Sequence, residues 1–171
     1  MKAKILLKGS CQCQAVKFSL RSAHIFPYQR CYCSICRKVQ GGGGYAINLA
    51  GDYRTLKISG EKYLKRYHAR MKDRGEKRGH LSSAWRYFCG ECGTSLWLYD
   101  PDWPELVHPY ASAIDTPLPV APEITHSMLS SKASWVQPHF GPRDKKFEVF
   151  SDESIAEWHE RLGLVNKRKR E

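Results

Sequence analysis

The cysteines are the residues of this sequence whose type and spacing point most directly to chemistry. The chain has seven cysteines among 171 residues, in three groups whose members are two or three positions apart. The groups are Cys11-Gln12-Cys13, Cys31-Tyr32-Cys33-Ser34-Ile35-Cys36 and Cys89-Gly90-Glu91-Cys92. Disulfide bonds are not expected, because the first residues lack a secretion-signal pattern and an odd number would leave one thiol over. A turn with this spacing instead presents its thiolates on one side, where they can share one zinc ion.

The number of thiolates at a zinc ion distinguishes structural sites from catalytic ones. Four thiolates make a closed structural site, whereas three leave a fourth position for water or substrate. If the first and third groups share one ion, the middle group remains as a three-thiolate site of the catalytic kind. This partition is the chemically simpler one, and other pairings of the groups stay open from spacing alone. Gly90 and Gly93 can adopt the positive φ angles that turn backbone N–H groups toward the sulfur atoms.

The cysteine groups lie within longer motifs that occur in the same order in a known family. These motifs are residues 9–18 (GSCQCQAVKF), 31–38 (CYCSICRK) and 88–96 (FCGECGTSL), followed by residues 113–115 (AID), His126 and residues 132–135 (KASW). Together they resemble the glutathione-dependent formaldehyde-activating enzyme (GFA) and centromere protein V family over roughly residues 8–150. Two positions depart from the family pattern, since Gln14 replaces a usual glycine and Tyr32 replaces a common histidine.

This resemblance implies a fold, two metal ions and a reaction. The fold is a mainly β, Mss4-like β-tent of short antiparallel strands with zinc knuckles. The resemblance implies a structural zinc ion on Cys11, Cys13, Cys89 and Cys92, and a second, catalytic or labile zinc ion on Cys31, Cys33 and Cys36. The implied reaction is the reversible joining of formaldehyde to the glutathione thiol. The protein would then be a zinc-dependent carbon–sulfur lyase acting on S-hydroxymethylglutathione or a related small thiol adduct.

Other polar and aromatic residues offer weaker functional candidates, and a structural role is favoured for each. A general base or fourth ligand could come from His24, His108, His126 or His139. His126 is preferred among these, because it lies in the stretch that resembles the family. Residues 41–44 are four glycines whose N–H groups could hold a carboxylate beside Arg37 or Lys38, although a flexible turn is favoured. Asp115 is expected to hydrogen-bond in a turn, and the core is expected to contain Trp85, Trp97, Trp103 and Trp135.

Apolar periodicity predicts the elements that position these groups. Alternation predicts strands over residues 15–20, 85–88 and 95–99, with weaker candidates over 5–7, 45–49, 55–59, 107–111 and 146–150. One helix is predicted near the C-terminus, with Ser151 as N-cap and Gly163 at its end. Its buried face would carry Ile155, Trp158 and Leu162. We expect a single zinc domain over residues 1–165 and a disordered basic tail over 166–171.

The net charge of +11 supports an alternative function. Residues 61–80 and 161–171 together carry nine of the eleven excess positive charges. A zinc-stabilised binding module could use this basic segment and tail on nucleic acid or chromatin. A solvated loop and tail are favoured instead, since no recognition helix or aromatic ladder accompanies the basic residues. No apolar run approaches the ~20 residues of a membrane span, and a cytoplasmic location is expected, or a nuclear one in a eukaryote.

Overall fold

Two β-sheets of unequal size organise the chain in a computed structural model, which describes residues 5–26, 28–40, 42–71 and 77–165. The strands are β1 (Ile5–Ser10), β2 (Lys17–Ser22), β3 (Tyr28–Cys31), β4 (Ala46–Asn48), β5 (Gly51–Ser59), β6 (Leu64–Met71), β7 (His80–Cys89), β8 (Ser95–Tyr99), β9 (Leu106–Pro109), β10 (Ile124–Ser127) and β11 (Lys145–Lys146). The helices are α1 (Ser34–Gln40) and α2 (Ile155–Arg161). The predicted mainly β fold with a C-terminal helix is therefore confirmed.

The larger sheet positions the first and third cysteine groups. Its seven antiparallel strands follow the order β1-β2-β5-β9-β8-β7-β6. The longest pairing is the β6–β7 hairpin, whose register runs from Leu64 opposite Cys89 to Met71 opposite His80. β1 ends directly before Cys11, and β7 ends at Cys89. The two cysteine pairs of this sheet therefore sit at strand ends rather than within strands.

The hydrophobic core lies on one face of the larger sheet. The alternation predicted for Val16, Phe18 and Leu20 is confirmed, since their side chains are 0%, 4% and 0% exposed. The ring of Phe18 meets Trp97 edge-on at 5.0 Å, and Tyr87 stacks on the same indole at 5.2 Å. Each fully buried side chain of this size stabilises the fold by about 1.5–3 kcal/mol. The core therefore packs directly beside the strand ends that carry cysteines.

Two tryptophans do not build the core. Trp103 and Trp135 are each 61% exposed, so the prediction that they are buried is wrong. Both lie outside the strands and helices, Trp103 in the β8–β9 connection and Trp135 after the turn that follows β10. Apolar periodicity determines which side chains face the core, and these two indoles belong to no periodic segment.

The smaller sheet positions the middle cysteine group. Its order is β11-β10-β3-β4, with β10 parallel to both β3 and β11. β3 and β10 were not predicted, because every residue of β3 is only half-buried and neither strand shows an apolar alternation. The strand predicted over residues 146–150 is wrong in extent, since only Lys145 and Lys146 pair. Beyond them Phe150 is 77% exposed.

The C-terminal helix begins three residues later than predicted. Ser154, not Ser151, is its N-cap: the Ser154 hydroxyl accepts from the Glu157 N–H, and the Glu157 carboxylate accepts from the Ser154 N–H. This reciprocal capping box satisfies two otherwise unpaired donors, so it outcompetes an isolated serine. Trp158 is buried as predicted, and its indole N–H donates to Glu123 at 2.9 Å. Gly163, with φ +65°, follows the C-cap as predicted.

The basic segment is not a loop over most of its length. Residues 64–71 form β6, which pairs along its length with β7, so the loop prediction for this part is wrong. Alternating Lys, Arg and aromatic side chains fit an exposed edge strand, where charge discourages pairing with another chain. Residues 72–76 and the basic tail, 166–171, lie outside the described residues.

No described helix is both long and apolar enough to cross a membrane.

Candidate functional site

The first and third cysteine groups meet and form what we call the four-thiol group. It comprises Cys11, Cys13, Cys89 and Cys92, whose sulfur atoms all lie within 4.8 Å of one another. The sulfur of Cys13 lies 3.5 Å from that of Cys11 and 3.8 Å from that of Cys89. Tetrahedral zinc with Zn–S bonds of ~2.3 Å requires sulfur–sulfur distances of about 3.8 Å. The four-thiol group could therefore hold a metal ion with little rearrangement.

Local backbone geometry holds the Cys11–Cys13 turn in shape. The Val16 N–H donates to the Cys11 sulfur at 3.2 Å. Gln14, which replaces the family's usual glycine, has φ +62°, a conformation that costs a non-glycine residue about 1–2 kcal/mol. Its side-chain amide donates to the Ser10 hydroxyl at 3.0 Å and to the Cys11 carbonyl at 3.2 Å. These two hydrogen bonds offset the strain, so the turn keeps its shape without glycine.

The facing turn of the four-thiol group favours an ionised thiol. The hydroxyl of Thr94 lies 3.1 Å from the Cys92 sulfur, and this hydrogen bond lowers the pKa of Cys92 to about 6. Burial raises the pKa of Cys89. A metal ligand must be a thiolate, so Cys92 is prepared for ligation at neutral pH, whereas Cys89 needs the cation itself to lose its proton.

The middle cysteines form a separate cluster, which we call the three-thiol group. The sulfur atoms of Cys31, Cys33 and Cys36 all lie within 4.8 Å of one another. Cys31 ends β3, and Cys36 lies in the first turn of α1. The short helix is necessary here, because it turns the chain so that the Cys36 N–H donates to the Cys33 sulfur at 3.3 Å. Cys36 is buried, whereas Cys31 and Cys33 are half-buried.

The three thiols share negative charge unequally. Hydrogen bonds with the Cys31 and Cys36 thiols lower the pKa of Cys33. The same contacts raise the pKa of Cys31 to about 11 and also raise the pKa of Cys36. One thiolate stabilised by two thiols is thus the favoured state, and three thiolates at this distance require a cation between them. Three soft sulfur ligands suit zinc.

Two buried residues near the three-thiol group were not predicted as functional candidates from the sequence. Tyr110 is fully buried and packs against Cys36, and its hydroxyl has no hydrogen-bond partner within the described ranges. Burial raises its pKa, and the charges of Cys36 and Arg86 both act on the phenol. Arg86 is only 6% exposed, and its Nε also has no partner. A charged residue between aromatic neighbours in a strand was the available sequence signal for Arg86, whereas Tyr110 reads as an ordinary core residue.

His126 belongs to a buried network rather than to the cysteine groups. Its Nε2–H donates to Asp144 at 3.1 Å, and its Nδ1 accepts from the Tyr32 hydroxyl at 2.9 Å. Burial lowers the pKa of His126, which keeps the ring neutral in this arrangement. Asp144 also accepts from the backbone N–H groups of Ile124 and Gly141. With both ring nitrogens engaged, His126 is not positioned as a metal ligand, and the favoured structural role fits the geometry.

Three further candidates make local contacts within the fold. His108 hydrogen-bonds through Nδ1 to the Leu49 carbonyl. Asp115 joins the turn after Ala113 through its N–H, which donates to the Lys8 carbonyl. Within the glycine run, Gly44 has φ +86° and packs against Val136.

Comparison with known proteins gives the family. Residues 6–131 match the family described as "Glutathione-dependent formaldehyde-activating enzyme". A protein of Halomonas elongata named "Putative glutathione-dependent formaldehyde-activating enzyme" is 52% identical over 160 residues, which cover 94% of this chain and 98% of that protein.

The fold also has a solved counterpart. A crystal structure of a Rhodobacter sphaeroides protein matches with a TM-score of 0.50 and 24% identity, over 66% of this chain and 91% of that one. At this identity the match supports the fold alone. The family match covers the residues that form both thiol groups. Together with the Halomonas relative, it shows that the chain belongs to the glutathione-dependent formaldehyde-activating enzyme family.

Proposed function

We propose that this protein is a zinc-dependent carbon–sulfur lyase that reversibly joins formaldehyde to the thiol of glutathione. In the joining direction, a bond forms between the glutathione sulfur and the formaldehyde carbon, and the thiol proton ends on the oxygen. The reverse direction breaks that bond and releases formaldehyde. The observation that carries the proposal is the three-thiol group, with one buried and two half-buried cysteines. Because free thiols persist in reducing compartments, the proposal places the protein in the cytoplasm.

The two thiol groups would hold two zinc ions with different roles. The four-thiol group fills all four positions of a tetrahedral ion, which suits a structural site. The three-thiol group leaves one position for a substrate atom, which suits catalysis. When bound there, zinc supplies Lewis acidity that lowers the pKa of a coordinated thiol or hydroxyl group. The soft sulfur donors and the need for a cation among three close thiols support this assignment.

The protein's own residues would order the substrate at this site. Cys36 forms the buried floor of the three-thiol group, so substrate approaches past the half-buried Cys31 and Cys33. The Tyr110 hydroxyl is protonated and has no hydrogen-bond partner among the residues that the structure describes. It can therefore donate a hydrogen bond to the oxygen or sulfur of the adduct, where negative charge develops as the C–S bond breaks. The surrounding buried side chains exclude water and so strengthen this hydrogen bond.

The reaction can be tested by NMR exchange between hydrated formaldehyde and S-hydroxymethylglutathione. The protein is purified anaerobically and its zinc content is measured first. We expect the exchange rate to exceed the spontaneous rate measured in the same buffer, and Cys33→Ser to return it to that spontaneous rate. Wild-type protein that carries two zinc ions and gives no acceleration would contradict the proposed reaction while leaving the metal sites intact.

A further inference from the structure

A cleft of about 340 Å³ lies between α1 and the β6–β7–β8 part of the larger sheet. It is lined by Lys38, Val39, Tyr67, Arg86, Tyr87, Phe88, Gly93 and Ser95. Among the residues that the structure describes, Lys38 and Arg86 are the charged residues of its lining, and no acidic side chain faces it. Its volume corresponds to roughly ten water molecules at ~30 Å³ each, which is enough for an amino-acid-sized group. The lining therefore favours a small anion.

Arg86 is the residue of this cleft that most strongly favours binding of an anionic ligand. The side chain is 94% removed from solvent, since only 6% of it is exposed. Its Nη1 donates to the Ala84 carbonyl at 3.2 Å, but its Nε has no partner. Among the described residues, no carboxylate forms an ion pair with this guanidinium. A buried, unpaired positive charge is costly, so the site is prepared for a negative charge that the described part of the chain does not supply.

The cleft and the three-thiol group share a wall. Helix α1 carries Cys36 on the side of the three-thiol group and Lys38 at the cleft. Tyr110 packs against Cys36, and the charge of Arg86 acts on its phenol. The unpartnered Tyr110 hydroxyl thus lies within electrostatic range of both sites. Helix α1 and Tyr110 therefore connect the Arg86 end of the cleft with the three-thiol group.

We propose that this cleft, the Arg86 cleft, binds the glycine carboxylate of glutathione while the glutathione sulfur reacts at the three-thiol group. This inference rests on the proposed function and deepens it, because it assigns a specificity subsite to Arg86, which lies outside the cysteine motifs. Glutathione has two carboxylates, and the one at its γ-glutamyl end lies beside an ammonium group. Lys38 and Arg86, which have no acidic side chain beside them among the described cleft residues, would repel that ammonium. The glycine carboxylate has no adjacent positive charge.

The test compares glutathione with its glycine ethyl ester as ligands of the zinc-loaded protein, without formaldehyde, by isothermal titration calorimetry. We expect wild-type protein to bind the ester at least ten-fold more weakly than glutathione. Arg86→Gln should bind the two equally, and Arg86→Lys should restore part of the preference. Zinc content is measured for each variant and should stay at the wild-type value. Arg66→Gln is the matched control, since it removes one positive charge from the neighbouring strand outside the cleft.

Several outcomes decide the inference. Equal binding of glutathione and its ester by the wild type, or an unchanged preference in Arg86→Gln, would overturn it. If Arg86→Gln does not fold, Lys38→Gln at the exposed end of the cleft decides, and we expect it to reduce the preference about three-fold. An absent acceleration of formaldehyde exchange with an intact carboxylate preference would refute the proposed reaction and leave the Arg86 cleft standing. Accelerated formaldehyde exchange without any preference for glutathione over its ester would refute the Arg86 cleft and leave the proposed reaction standing.

Discussion

The two thiol groups differ in how far along the chain their ligands come from. In the four-thiol group, Cys13 contacts Cys89, which lies 76 positions later in the sequence. In the three-thiol group, all ligands lie between Cys31 and Cys36, in one strand-to-helix turn. Loop-closure entropy grows with the logarithm of loop length, so closing the longer loop constrains the unfolded chain by about 2.4 kcal/mol more.

This difference teaches how one small domain can separate stability from reactivity. A metal ion that joins distant segments contributes to the fold, and its ligands are all used in doing so. A metal ion held by one local turn contributes little to the fold, so it can keep an open position and exchange ligands. The burial pattern agrees, because Cys11 and Cys89 are part of the main hydrophobic core. The three-thiol group instead adjoins a small satellite cluster around Tyr110.

The largest effect should follow from Cys92→Ser. Cys92 is exposed, so serine itself is tolerated there and the variant tests metal binding rather than packing. Loss of the fourth ligand should remove the structural ion, and structural zinc sites contribute on the order of 10 kcal/mol, comparable with total domain stability. We expect loss of the cooperative thermal transition seen by circular dichroism, together with a lower zinc content. A wild-type melting temperature in this variant would contradict the claim that the four-thiol group, unlike the three-thiol group, stabilises the fold.

Cys33→Ser is the matched variant in the other group. It should lose one of two zinc ions and at least about a thousand-fold in catalysed exchange, since ligand loss removes the reacting centre. Its unfolding free energy should stay within about 1 kcal/mol of wild type, because the local turn closes only a short loop. Urea unfolding monitored by tryptophan fluorescence measures this. If Cys33→Ser unfolds outright, the three-thiol group is structural and the open-site assignment is wrong.

Tyr110→Phe should sharpen the comparison by separating activity from stability. Removing a buried hydroxyl that has no partner should leave stability equal or raise it by about 1 kcal/mol. The exchange rate should nevertheless fall roughly 10–100-fold, as expected when a hydrogen bond to developing charge is lost. Both zinc ions should remain.

Tyr32→Phe provides the control for this tyrosine. It removes a hydroxyl that is satisfied by His126, so it should destabilise the protein by about 1 kcal/mol and have the smaller effect on rate. Equal rate losses in the two variants would show that Tyr110 acts through packing alone.

The sequence was most informative where chemistry restricts residue type. Cysteine spacing and the family motifs predicted the members of both thiol groups. Apolar alternation predicted that Val16, Phe18 and Leu20 are buried in the core. It was least informative for short elements whose stability comes from tertiary contacts. β3 and α1 carry the three-thiol group, but neither displays a periodic apolar face. The position of β3 depends on its pairing with β10 and β4, which no local pattern encodes.

The polar residues behind the thiols were hardest to predict. Tyr32, His126 and Asp144 come from three separate segments, and their network exists only once β3 and β10 pair in register. Likewise, Arg86 and Tyr110 become candidates only because the fold buries them without partners. Whether a polar group lacks a hydrogen bond depends on its three-dimensional surroundings, so it cannot be predicted from sequence spacing.

The next prediction concerns how the unfolding free energy depends on pH through the network behind the three-thiol group. Burial lowers the pKa of His126 below its ordinary value of 6.5. Between about pH 6.5 and 5, the unfolded chain therefore binds a proton that the folded protein does not, and the unfolding free energy decreases as pH falls. Full stability is present above pH 6.5. One such histidine contributes a slope of up to about 1.4 kcal/mol per pH unit.

His126→Asn should reduce this slope, measured from urea unfolding at pH 5.0, 5.75 and 6.5. The pKa of the buried His159 is lowered in the same way, but its ring bonds to the Phe26 carbonyl beside α2. His159→Asn should therefore also reduce the slope, while leaving zinc at the three-thiol group unaffected. His126→Asn should also speed zinc loss to a chelator from one of the two sites, because Tyr32 between Cys31 and Cys33 loses its anchor. Equal chelation kinetics in both variants would mean that the network supports the fold without tuning the site. Faster zinc loss in His126→Asn alone would show that the three-thiol group depends on a buried polar network, whereas the four-thiol group depends on the larger sheet.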